Sequence, residues 1–224
     1  MNPLPGLITF DCYGTLIDWE TGILTALRAA YPEAAAIGDD ALLGAFHAAQ
    51  DARKTAAYRS YRDLLTEVAV DLSATYGWDG SPALAGTLPA SVPTWTPFDD
   101  TNAALGRLVE AGIPLGILSN IDDDLLAGTL GLLTGPFERI GTAQRLRSYK
   151  PARVHFDLGL EWAQGRAGGW LHVAQSVFHD IEPATRLRVP CLWVNRKDEA
   201  LPSSVAPRFV APDLESAVEW ILGD

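Results

Sequence analysis

Cysteine is nearly absent, with two in 224 residues, Cys12 and Cys191. Both lie in apolar runs, and neither has a CxxC or Cys/His spacing. That excludes a disulfide framework and a thiolate metal cluster, and leaves buried, reduced thiols of a cytoplasmic protein as the expectation. Lysine is almost as rare: Lys54, Lys150 and Lys197 are the whole supply, so a lysine in a suggestive setting carries weight. Positive charge is in deficit, since 17 Lys+Arg against 28 Asp+Glu leaves a formal charge of −11. Such a chain repels phosphate backbones and anionic bilayers, so neither nucleic acid nor a membrane surface is an expected partner. No apolar run reaches the length of a membrane span, and MNPLPGLITF has neither a basic region nor a small-residue cleavage site. Internal repeats and low-complexity tracts are also missing.

What is present is material for a dense core, with 48% hydrophobic and 20% charged residues. At roughly 150 residues per domain, the length fits one large domain or one domain carrying a sizeable insertion. Gly6 to Phe10 is a short apolar run ending at Asp11, and the next comparable run, from Ile113, comes about a hundred residues later. Between them, Leu24 to Tyr31, Ala41 to Gln50 and Tyr58 to Tyr76 carry apolar residues at spacings of three and four, which predicts amphipathic helices. Pro89 to Pro97 reads as a loop.

The rhythm then alternates. Helices are predicted at Asp100–Ala111, Asp123–Leu133, Ala152–Gln164, Glu182–Leu187 and Leu214–Leu222. Strands are predicted at Ile113–Leu118, near Ile140, and at Trp170–Ala174, Cys191–Val194 and Phe209–Val210. This alternation predicts an α/β fold with a doubly wound, Rossmann-like parallel sheet. The all-helical block becomes an inserted cap over residues 17–96, and the core comprises 1–16 and 97–224.

Chemistry is concentrated at four predicted strand ends. In FDCYGTLIDW, Asp11 directly follows a strand, Gly14 permits a tight turn, and Thr15 can face an anion or the carboxylate. Such a carboxylate can be a covalent nucleophile. ILSN offers the Ser119 hydroxyl and the Asn120 amide to a substrate anion. SYKP sets Lys150 before a proline at a helix start. HVAQSVFHDIEPA sets Ser176 and Asp180 in a strand-to-helix turn. Each has an ordinary structural reading, as a loop pair, a solvated lysine or a helix cap. Four of them in order at successive strand ends point to one site. Asp122, Asp123 and Asp124 read as helix-start acids rather than a metal cluster.

The ordered set resembles the four motifs of the haloacid dehalogenase superfamily, with a cap inserted between the first and the second. The resemblance spans essentially the whole chain. It implies Asp11 as nucleophile, Ser119 as anion binder, Lys150 steadying the nucleophile, and an acidic residue, here Asp180, in the last motif. The superfamily's phosphatases carry a second Asp two residues after the nucleophile and bind Mg²⁺ partly through an Asp of the last motif. Here those places hold Tyr13 and Gln175.

DxYGT is similar to the L-2-haloacid dehalogenase branch, whose chemistry needs no metal and proceeds through an aspartyl ester at the α-carbon of a small 2-substituted carboxylate. That likeness implies no cofactor and a small carboxylate as partner, with a homodimer as a common state of the branch. By position, Asp11, Lys150, Asp180 and Ser176 carry the catalysis, with Thr15 orienting the nucleophile. Cys12, Tyr13, Thr15, Ser119, Asn120, His47, Tyr149 and His179 fall to substrate binding, Asn120 on the leaving-group side. The branch's last motif, roughly SSNAWD, is altered here by Gln175 and Val177. Its cap arginine has no clear counterpart, the nearest positions being His47 and then Arg53. DCYGTLIDWETGI, LSNID and the HD before PA also resemble the hydrolases that open L-azetidine-2-carboxylate, where His179 or Tyr13 would assist an amine leaving group. Two other functions remain: a Mg²⁺-dependent phosphatase with an altered site, and a catalytically silent small-anion-binding protein.

Overall fold

A computed structural model describes residues 4–53 and 57–224; Lys54 lies outside them. The chain forms two compact units. The first comprises Met1–Asp18, Pro97–Asn120 and Leu132–Asp224, and the second comprises Trp19–Thr96 and Ile121–Gly131.

The first unit is built on six parallel strands: β1 (Leu7–Phe10), β2 (Leu115–Ser119), β3 (Phe137–Thr142), β4 (Trp170–Ala174), β5 (Cys191–Val194) and β6 (Phe209–Ala211). Their spatial order is β3-β2-β1-β4-β5-β6, and every neighbouring pair is parallel. This is the doubly wound order, whose direction reverses where β1 lies between β2 and β4. Ligands bind in the crevice at the carboxyl ends of such strands. All residues of β1, β2, β4 and β5 are buried, as expected of parallel strands covered on both faces. The edge strands β3 and β6 carry exposed positions.

In chain order the helices of both units are α1 (Trp19–Ala30), α2 (Asp39–Ala52), α3 (Tyr61–Tyr76), α4 (Pro82–Ala85), α5 (Thr87–Ser91), α6 (Thr101–Glu110), α7 (Asp123–Leu130), α8 (Ala143–Leu146), α9 (Arg153–Ala163), α10 (Glu182–Leu187) and α11 (Leu214–Leu222). Helix α9 places Phe156 in a core cluster with Leu7, Trp170 and Trp193. Its Gly159 is what permits the approach, because a Cβ there would stand 2.3 Å from the Trp170 ring. No helix among the described residues is long and apolar enough to cross a membrane.

The second unit buries one face each of α1, α2 and α3, through Ile23 and Leu27, Leu42 and Phe46, and Leu65, Val68 and Leu72. Three features differ from the sequence expectations. The proline-rich stretch is not a loop, since it holds α5 and a 3-10 turn, Val92–Thr94. Pro89 and Pro93 fall within first turns, where a missing N–H leaves no intrahelical bond unmade. Ile121–Gly131, assigned from sequence to the core, clusters with the inserted helices. Asp122, expected to serve the helix that follows it, caps another. Its carboxylate accepts the main-chain N–H groups of Tyr61 (3.0 Å) and Arg62 (2.8 Å) and the Tyr58 hydroxyl (3.2 Å). The start of α3 is thereby held by a segment sixty residues away in sequence.

Candidate active site

The site residues of the first unit assemble from the strand ends upward. Asp11 extends β1 by one residue, its N–H bonded to the Val173 carbonyl at 3.1 Å. The chain then turns sharply. Gly14 has φ of 99°, a left-handed conformation that costs glycine little, and the N–H groups of Leu16 and Ile17 both return to the Cys12 carbonyl. This turn brings the Thr15 hydroxyl to Asp11 Oδ2 at 3.0 Å. Thr15 Oγ1 in turn accepts the Gln175 N–H at 2.9 Å, which ties the end of β1 to the end of β4.

Lys150 reaches the same carboxylate from the loop before α9. Its Nζ donates to Asp11 Oδ1 and to Asp180 Oδ1, each at 2.7 Å, with all three side chains nearly or fully buried. Burial by itself pulls the Lys150 pKa down, but the two carboxylates outweigh it and hold the ammonium above its ordinary value. For Asp180, burial pushes up, and Lys150 and His172 outweigh it, so the carboxyl is held below its usual range. The Lys150 ammonium and the Asp180 carboxylate therefore stay charged in a buried setting, at the expense of desolvation that only close geometry offsets. Asp180 Oδ2 is buried and has no protein partner among the described residues.

Around this centre the sequence-selected residues take distinct places. Ser119 ends β2 and is buried. Asn120 clamps the main chain of Lys150: its Oδ1 accepts the Lys150 N–H at 2.6 Å, and its Nδ2 donates to the Lys150 carbonyl at 3.1 Å. Only one amide hydrogen of Asn120 is then left for the leaving-group contact expected from sequence. Ser176 Oγ accepts the His179 N–H and lies 3.1 Å from His179 Nδ1, capping the π-helical turn Val177–Ile181 that carries Asp180. Such turns are rare and recur at functional sites. Tyr13, Tyr149 and His179 are half-buried in this unit. Cys12 is fully buried, and burial with the nearby Asp11 pushes its thiol well above the ordinary value.

His47 belongs to the other unit. It is exposed on α2, with its ring edge-on to Trp19 at 5.3 Å. Arg53, the next cationic candidate there, is bound to Glu67 at 2.8 Å and to Asp71 at 2.5 Å.

Sequence reasoning did not single out two supports. Arg196 donates to the Thr15 carbonyl at 3.0 Å and to both oxygens of Asp100, with its guanidinium 3.9 Å above the Phe98 ring. Asp100 also accepts the Leu214 N–H at 2.6 Å, so the turn after Asp11 is tied to the start of α11. His172 and Thr9 lie side by side on β4 and β1. Their signal was available: a polar residue in the middle of a strand buried on both faces.

Comparison with known proteins bears on this geometry. Residues 5–162 match the family model described as haloacid dehalogenase-like hydrolase. An (S)-2-haloacid dehalogenase of Pseudomonas putida is 26% identical over 239 aligned residues, covering 99% of this chain and 98% of that protein. The solved L-2-haloacid dehalogenase of Xanthobacter autotrophicus superposes with a TM-score of 0.80 at 21% identity, covering 98% of this chain and 99% of that one. A HAD-hydrolase of Bacillus subtilis, solved bound to magnesium, superposes with a TM-score of 0.78 at 16% identity, covering 99% and 100%. The two structural likenesses establish a shared fold and do not choose between chemistries. With the family model matching well over half of its length, the chain belongs to the haloacid dehalogenase-like hydrolases.

Proposed function

We propose that the protein is a hydrolase that displaces a substituent from the α-carbon of a small 2-substituted carboxylate through an ester to Asp11. The observation that carries this reading is the Asp11–Lys150–Asp180 cluster. One carboxylate is oriented at a strand end by Thr15 and Lys150, and the other, across the same ammonium, keeps an unpartnered oxygen. In the first step an Asp11 oxygen forms a bond to the α-carbon while the bond to the leaving group breaks, and the electron pair departs with that group. Attack from the opposite face inverts the centre. In the second step water attacks the ester carbonyl and Asp180 Oδ2 takes its proton. The bond between the Asp11 carboxyl carbon and the ester oxygen breaks, the departing 2-hydroxy oxygen takes that proton back from Asp180, the other water proton is released to solvent, and Asp11 is restored as a carboxylate. Ser119 and nearby main-chain N–H groups hold the substrate carboxylate.

A metal-assisted phosphoryl transfer is the second reading, favoured by the magnesium-bound relative. The donor set does not suit it. Gln175, a neutral amide, stands where an acidic ligand is needed, and the Lys150 ammonium lies 2.7 Å from each of the two carboxylates a cation would have to share. Among the described residues no group of three His, Cys, Asp or Glu side chains is placed to hold a metal ion. A hard divalent cation prefers several oxygen ligands in octahedral array.

The leaving group is a halide or a strained ring nitrogen. The test is a panel of L-2-chloropropionate, L-azetidine-2-carboxylate and p-nitrophenyl phosphate, each with and without EDTA. Turnover of a 2-substituted acid that is indifferent to EDTA is expected. Phosphate release that EDTA abolishes, with neither acid consumed, contradicts the proposal.

A further inference from the structure

Behind the charged cluster, a chain of buried polar side chains runs back through the sheet. Trp170 Nε1 donates to Thr9 Oγ1 at 2.8 Å, and Thr9 Oγ1 lies 2.8 Å from His172 Nδ1. His172 Nε2 lies 2.9 Å from Asp180 Oδ1, the oxygen that also receives Lys150. Thr9 and His172 are opposite one another in the register of β1 and β4, and both are fully buried. Thr9 stands two residues before Asp11, on the same face of β1.

The direction of these bonds follows from which groups can donate. An indole N–H only donates, so Thr9 Oγ1 accepts it and has its own hydrogen to give. The acceptor beside it is His172 Nδ1. The Asp180 carboxylate only accepts, so the ring hydrogen is on Nε2, aimed at Asp180 Oδ1, and Nδ1 is left to accept the Thr9 hydroxyl hydrogen. Two donors thus converge on one oxygen of Asp180 and leave the other, Oδ2, unengaged by protein. Phe156 closes over the ring edge-on at 5.9 Å, so His172 has little room to turn away. A buried imidazole with both nitrogens committed, in a strand otherwise apolar, is expensive to keep unless its bonds serve something.

We propose that His172 is a positioning residue: by donating from Nε2 to Asp180 Oδ1, it fixes the carboxylate so that Oδ2 is the oxygen presented to the ester-cleaving water. Thr9 and Trp170 set the tautomer that makes this donation possible. The proposal rests on the function proposed above, and it locates the effect of His172 in ester breakdown rather than in ester formation, where Asp11 and Lys150 act.

The test has a substrate-free arm and a kinetic arm. ¹⁵N NMR of the imidazoles in the full chain, with the His172 signals identified by their loss in His172→Gln, is expected to show the hydrogen on Nε2. A ring protonated on Nδ1 alone overturns the proposal. In single-turnover reactions with L-2-chloropropionate, mass spectrometry of quenched protein follows the ester on Asp11. His172→Leu is expected to slow breakdown roughly tenfold or more, the rate equivalent of losing one hydrogen bond to a charged group, with formation little changed. His172→Gln, whose amide nitrogen falls near the place of Nε2, is expected to recover most of that rate. Equal slowing of both steps, or a Gln variant no better than Leu, overturns the positioning role. If the wild type never carries an ester, the function proposed above fails, and the NMR arm alone decides the His172–Asp180 bond.

Discussion

The two units of this chain use ion pairs in opposite ways. In the inserted helical unit, Arg53, Arg59, Glu67 and Asp71 form a network whose side chains remain about one-third exposed, and Arg62 pairs with Asp124 further out. Water screens such pairs, each is worth little, and the network needs no purpose beyond solubility and helix packing. In the sheet-bearing unit, Lys150, Asp11 and Asp180 are buried together. There desolvation is severe, and a missing partner leaves an uncompensated charge. The difference teaches where to look for function: the arrangement that a stability argument would replace with hydrocarbon is the one at the reactive strand ends.

Removing the central charge should break this contrast most forcefully. Lys150→Met leaves two carboxylates facing each other in a buried site, and is expected to lower stability by about 3–5 kcal/mol and to abolish turnover. Thermal and urea unfolding measure the first, and the substrate panel the second. A variant as stable as the wild type would mean that water enters the cluster freely.

A second prediction sharpens the same contrast through pH. His155, on α9, is fully buried with Nε2 bonded to the Ser148 carbonyl at 2.8 Å. Burial lowers its pKa from 6.5 to about 4, with Lys150 adding to the depression against the pull of Ser148 and Asp180. The unfolded chain takes up this proton near pH 6.5, and the folded chain only near pH 4. The folded form is therefore unpenalised above pH 6.5 and loses stability progressively as the pH falls from 6.5 to 4. The total is about 3 kcal/mol. His155→Gln keeps a donor for the carbonyl and should flatten that part of the stability-pH curve. An unchanged slope assigns the acid sensitivity elsewhere.

The smallest effect is expected in the helical unit. Glu67→Gln removes a charge contacted by both Arg53 and Arg59 and should shift stability by about 1 kcal/mol or less. A loss as large as that of Lys150→Met would erase the distinction between the two regions.

Much of this was legible in the sequence because it depends on local signals. Strand Trp170–Ala174 and helices Glu182–Leu187 and Leu214–Leu222 were bounded correctly by apolar runs ending at polar turns. The doubly wound parallel sheet followed from the alternation of strand and helix. Asp11, Ser119, Lys150 and Asp180 were visible because each interrupts such a boundary with a functional group. What was not legible is set by distance along the chain. That Asp122 caps α3 depends on a partner sixty residues away. Nothing local shows that both polar atoms of Asn120 meet the Lys150 main chain. His172 and Arg196 bond to groups on other strands and loops, and only folding brings those together. The π-helical turn before α10 and the short helices among the prolines also lack the periodicity that marks longer elements.

The claim on which the account depends is that Asp11 becomes covalently bonded to substrate carbon. A single-turnover reaction in ¹⁸O-water, with enzyme in excess over L-2-chloropropionate or L-azetidine-2-carboxylate, tests it directly. The account predicts that the first product carries no label, that the heavy oxygen appears in the Asp11 carboxylate, and that it reaches product only in later turnovers. Label in the product of the first turnover, with Asp11 unlabelled, would contradict it.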